Sequence, residues 1–162
     1  MLLPDSGTIH NNPRLALLLY KNAVDLPRTG AAEVFENLFT ANGWPAAWRN
    51  GIHDFHHYHS TAHEVLGVYA GSATALMGGE GGTEVTVERG DVVIIPAGVG
   101  HKCLRRSDDL AIVGAYPANT VPDMRNGAPE ERPACIEAIS KVAVPALDPL
   151  HGAGGPMAEH WR

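Results

Sequence analysis

At 162 residues the chain has the length of one well-buried core and is short for two ordinary domains, so a single domain over 1–162 is expected. Twelve Lys and Arg stand against eighteen Asp and Glu, a formal charge of −6. No basic block is present to neutralise a run of phosphates, which excludes nucleic acid as the expected partner.

The opening MLLPDSGTIHNNPRLALLLYKNAVD has no basic region ahead of its apolar run, and LALLLY is too short for a signal-peptide core or a membrane span. It reads as a strand over 14–20 in a cytoplasmic protein with no membrane partner. TGAAEVFENLFTANG then sets Val34, Phe35, Leu38 and Phe39 on one face at helical spacing, with Thr29 as N-cap and Gly43 beyond the end. The N-terminal strand and helix together occupy 14–43.

From about 50 to 117, glycines and prolines divide the chain into short β-favouring runs, the layout of a sandwich or barrel. Strands are expected near 52–59 and over 64–71, 72–78, 83–89, 91–96, 101–106 and 110–116. Between them, 78–82, 89–91, 96–100 and 107–109 are built from turn residues. A second helix is expected in PEERPACIEAISKV, with Cys135, Ile136 and Ile139 on one face and Pro133 in the first turn. After it the tail has too many breakers for regular structure. Leu147, Leu150, Met157 and Trp161 recur along it, so the region 129–162 reads as a helix followed by a strap packed across the body. Trp44, Trp48 and Trp161 read as packing anchors. Cys103 and Cys135 belong to no dense cysteine framework and are expected as free thiols.

The chemistry concentrates in HHYHSTAHEV. In an extended strand side chains two apart share a face, so His57 and His59 project together, and the same parity adds His53 and Phe55. Glu64 has the wrong parity for that straight strand and joins them only if STAH turns, after which Leu66, Val68 and Ala70 share its face. His63 competes for this place, with Val65, Gly67 and Tyr69 turned inward in its case. His53 and His56 read as a hydrogen-bonding neighbour of the site and a solvated side chain. His101 follows far along the chain. Three imidazoles and one carboxylate suit a first-row divalent ion, whereas magnesium and calcium prefer more oxygen.

Gly51, His57, His59, Glu64 and Gly71 stand at the spacing G-x5-H-x-H-x4-E-x6-G, and Gly90, Pro96, Gly98 and His101 at G-x5-P-x-G-x2-H. Both resemble the paired motifs of the cupins. Over nearly its whole length, through WRNGI, HYHSTAHEVLGVYAG, DVVIIPAGVGHK and DPLHGAGGPMAEHW, the chain also resembles the YjlB-type single cupins of bacteria. The resemblance implies a mostly β fold, a cupin jelly-roll β-barrel with one or two flanking helices. It further implies a divalent transition metal (Zn, Fe, Mn or Ni) held by His57, His59, Glu64 and His101, and a homodimer. One position departs from the pattern: the second motif ordinarily closes on Asn, and Arg105 stands there. Counted from His101, Cys103 and Arg105 face inward, and an inward Arg105 is a clamp for a substrate carboxylate.

The function expected is that of a metal-dependent enzyme, of oxygenase or isomerase type, on a small polar or anionic metabolite, with Glu64 and Arg105 as catalytic candidates. The alternative is a non-catalytic module that uses the metal to hold a small ligand as a sensor, a store or a zinc-stabilised scaffold.

Overall fold

Short β-favouring runs and turn residues build eight strands in the computed structural model, which describes residues 1–162. They are β1 (Leu18–Tyr20), β2 (Ala46–Asn50), β3 (Glu64–Ala70), β4 (Ser72–Met77), β5 (Thr83–Glu88), β6 (Val92–Ile95), β7 (His101–Arg106) and β8 (Ala111–Ala115). All pairings are antiparallel. One sheet has five strands in the order β1-β6-β3-β8-β2 and the other three in the order β5-β4-β7, two layers consistent with a jelly roll. Helices α1 (Ala31–Ala41), α2 (Arg132–Lys141) and α3 (Pro156–His160) flank them. No helix is long and apolar enough to cross a membrane.

The sequence pattern of each strand follows from what covers it. Between the sheets, Leu66, Val68, Val93, Ile95 and Ile112 meet Ala73, Ala75, Met77, Val85 and Val87. The far face of the larger sheet carries Val65, Val92, Ile94, Val113 and Ala115, covered by Phe35, Phe39, Trp44, Leu150, Met157 and Trp161. Covered on both sides, β6 is the unbroken apolar run VVII, whereas β5, with one face in water, alternates buried and exposed residues. The close approach of α1 depends on Gly67. A Cβ there would lie 2.7 Å from the Phe35 ring.

Several expectations are corrected. The strand expected over 14–20 is confined to Leu18–Tyr20, and Ala46–Asn50 forms an edge strand that no alternation announces. Thr29 does not cap α1. Gly30 holds the N-cap position in a left-handed conformation (φ 73°), with no side-chain hydrogen bond. The tail does pack across the body through Leu150, Met157 and Trp161, but it includes the short helix α3. Residues 52–59 are not a strand; they make isolated bridges, His57 to His101 and Tyr58 to Arg125. The carbonyls of His53 and His57 accept from Cys103 and His101. Four steps on one side therefore span two on the other, and the chain bows outward between His53 and His57. Phe55, expected to face inward with His57, is 43% exposed.

The other correction concerns Arg105. In the β4–β7 pairing, Thr74 stands opposite Arg105 and Ala75 opposite Cys103, so Leu104 is an extra residue in β7. Cys103 keeps its inward place in the core, but Arg105 is turned out with Thr74. Its side chain is 67% exposed and pairs with Glu84 at 3.0 Å.

Candidate metal centre

Residues 51–63 carry the chain from β2 to β3. His57 exchanges both backbone hydrogen bonds with His101, at 3.2 and 2.9 Å, and the His59 carbonyl accepts from the Gly98 N–H at 2.8 Å. This pairing sets the rings of His57 and His101 side by side, their centroids 4.1 Å apart. His59 lies 5.6 Å from His57 and 6.2 Å from His101. Glu64 opens β3 on the same face as Leu66 and Val68, both in the core between the sheets. His63 goes to the other face. There its Nδ1 accepts the Ala97 N–H at 2.9 Å and its ring packs on Trp161 at 4.7 Å.

The three imidazoles of His57, His59 and His101 are buried, and their candidate ligand atoms all lie within 4.8 Å of one another, positioned for a metal ion. Backbone carbonyls fix which nitrogen each ring offers. Nδ1 of His101 faces the Val99 carbonyl at 3.1 Å, Nδ1 of His57 faces that of Phe55 at 3.4 Å, and Nδ1 of His59 faces that of Asp123. A carbonyl only accepts, so each Nδ1 carries the proton and each neutral ring presents a bare Nε2. Histidines so tied are oriented for a cation rather than for one another.

Glu64 completes the set from the side. Its Oε2 lies 3.4 Å from Nε2 of both His59 and His101. Oε2 of Glu64 and Nε2 of His59 are nevertheless buried without a hydrogen-bond partner. Orphaned buried groups of this kind are costly unless something satisfies them. A borderline divalent ion among two or three imidazole nitrogens and one carboxylate oxygen would do so, and the residues present fit one. The charge states of His57 and Glu64 agree. Burial, reinforced by the neighbouring His101, pushes His57 down to about 3, which keeps that ring neutral. Burial alone would raise Glu64, but His101 and His59 beside it hold its carboxyl below the ordinary range. Burial likewise opposes charge on His59, yet Glu64 and the Asp123 carbonyl raise that ring.

Above these groups opens a cavity of about 210 Å³, lined among others by Trp48, Ile52, His53, Leu66, Tyr116 and Met124. His53 stands edge-on to His57 at 5.0 Å, as a neighbour of the site. His56 does not line it and lies 3.2 Å from Glu80, which also takes Lys102 at 3.1 Å. No lysine or arginine is among the lining residues, and Arg105 is not brought to the histidines. Three contributors escaped the reading of the sequence. Tyr116 and Trp48 form one wall, and Asp123 ties the 117–125 segment over the site by accepting from the Ser60 N–H at 2.6 Å and the Ser60 hydroxyl at 2.5 Å. Tyr116 did carry a signal, since it shares parity with the inward Ile112 at the end of β8. Asp123 carried none.

Comparison with known proteins reaches the same region. Residues 50–113 match the family described as "Cupin domain". The "Uncharacterized protein YjlB" of Bacillus subtilis (strain 168) is 42% identical over 158 residues, which cover 98% of this chain and 93% of that one. Among solved structures, a DUF861 family protein from Thermotoga maritima is 20% identical with a TM-score of 0.39, over 62% of this chain and 99% of that one. Procruciferin, an 11S globulin from Brassica napus, is 16% identical with a TM-score of 0.43, over 87% of this chain and 37% of its own.

Proposed function

Because the chain belongs to the cupin family, we propose that it is a metal-dependent enzyme, of oxygenase or isomerase type, acting on a small polar metabolite in the cavity above the histidines. His57, His59 and His101 hold a first-row divalent ion through Nε2, and Glu64 is the fourth ligand. The observation that carries this reading is the convergence of three rings whose Nδ1 atoms are already committed to carbonyls on a buried, partnerless carboxylate oxygen. Such an ion supplies Lewis acidity toward a substrate oxygen.

The chain's own residues do the rest. Trp48, Ile52, Leu66 and Met124 exclude water from the non-reacting part of the substrate, and Glu64, on loosening from the ion, is the carboxylate of the cavity that takes up a proton. With no cationic side chain in the lining, attraction for an anion comes from the bound ion itself. Arg105, facing away beside Glu84, plays no part in substrate binding in this proposal.

Elemental analysis after anaerobic purification tests the reading. Wild-type protein is expected to hold about one transition-metal ion per chain, and the His57→Ala/His59→Ala variant close to none. Equal metal content in the two would sink the ligand assignment. A small-metabolite thermal-shift screen on both proteins separates enzyme from scaffold: a metabolite that stabilises only the wild type supports a ligand site at the metal, and stabilisation by metal alone would favour the scaffold.

A further inference from the structure

We propose that the Tyr116 hydroxyl is the hydrogen-bond donor that receives a carbonyl, carboxylate or enol oxygen of the ligand at the metal centre, and that Trp48 is the positioning residue that aims it. The proposal rests on the metal-centre reading above and adds to it the group that recognises the ligand. An indole N–H only donates, and Nε1 of Trp48 lies 3.0 Å from the Tyr116 oxygen. The tyrosine therefore accepts on that side, and its own proton is left for another acceptor. The ring stands edge-on to His59 at 5.5 Å and 86°, and Tyr116, Trp48 and Glu64 line the same cavity. Glu64 is the carboxylate acceptor of that cavity. Once that carboxylate is committed to a cation, the proton is free for a ligand oxygen.

The backbone is shaped for this contact. Trp48 stands opposite Gly114 across the β2–β8 pair, with a register shift just before it. A Cβ at position 114 would lie 2.0 Å from the indole, so only glycine lets the ring lie flat across β8 and bring its N–H to the end of that strand. The ligand class follows from the remaining walls. Ile52, Leu66 and Met124 are apolar and no lysine or arginine is present, so the ligand carries its oxygen acceptors at the metal end and an uncharged remainder.

The test uses cobalt(II)-loaded protein titrated with acetohydroxamate, a small bidentate oxygen ligand, and followed by visible absorption. Cobalt content and melting temperature are measured for wild type, Tyr116→Phe, Trp48→Phe and the double variant. Cobalt uptake is expected to be equal in all four. Acetohydroxamate affinity is expected to fall roughly tenfold in Tyr116→Phe and severalfold in Trp48→Phe, and no further in the double variant than in Tyr116→Phe alone. Wild-type protein that takes up no cobalt would overturn the metal-centre reading and this proposal together. Full uptake with equal affinities would overturn this proposal alone. Loss of cobalt in Tyr116→Phe at unchanged melting temperature would make Tyr116 a ligand and overturn it too. A Trp48 effect that persists in the Tyr116→Phe background would reduce Trp48 to packing.

Discussion

His63 and Glu64 are neighbours in sequence, yet strand parity sends them to opposite faces of β3. Glu64 meets imidazoles and His63 meets Trp161. Burial lowers His63 to about 4 from an ordinary value of 6.5. The unfolded chain thus takes up this proton before the folded one, so stability declines as pH falls from about 6.5 to about 4, by up to roughly 3 kcal/mol from this residue. Urea midpoints of wild type and His63→Gln across pH 7.5 to 4 check it: the acid-side loss should be smaller in the variant, and parallel curves would refute the assignment. At this scale the sequence was legible wherever parity held. The alternation through Leu66 and Val68 favoured Glu64 while leaving His63 as a rival, and the H-x-H pair and His101 converge as their motifs imply. Arg105 was misplaced because the extra residue in β7, Leu104, is an ordinary leucine, with no glycine or proline to announce a bulge.

Between α1 and β3 the contact of Phe35 with Gly67 couples two elements. Gly67→Ala would put a methyl group where the ring sits, and overpacking of this kind typically costs about 1–3 kcal/mol. Phe35→Ala empties a fully buried site and should cost about 3–5 kcal/mol. Made together, the two should cost less than the sum of their separate effects, because the smaller side chain makes room for the methyl group. Chemical denaturation of the four proteins measures this, and strict additivity would show that the contact is not shared. The Phe35 and Phe39 stripe made α1 readable, since it faces the sheet at a helical period. β2 was not readable: AAWRN is an edge strand with no alternation, and it is a strand only because β8 pairs with it.

Across the whole molecule the proposed ligands come from both layers. Glu64 belongs to the five-stranded sheet, His101 to the three-stranded one, and His57 and His59 to the segment that leaves the larger sheet after β2, bridges to β7 at His57 and returns as β3. An ion held there ties the layers together and stabilises only the folded chain, by about 4 kcal/mol at a free concentration a thousandfold above its dissociation constant. Treatment with a chelator should lower the melting temperature of the wild type and leave that of His57→Ala/His59→Ala unchanged; an equal response would disconnect metal from fold. The two-layer arrangement was legible from turn spacing, whereas the cover over the site was not, because 117–125 is irregular chain whose place is set by Asp123 clasping Ser60.

The supernumerary Leu104 decides on which side of the wall an arginine stands. Excising that one residue would return β7 to step with β4 yet leave Arg105 opposite Thr74, one position after the inward Cys103 and still facing solvent. Only a pairing in which Leu104 took the place opposite Thr74 would carry the guanidinium into the lumen, so an anion-binding interior is reached by absorbing the bulge and not by deleting it.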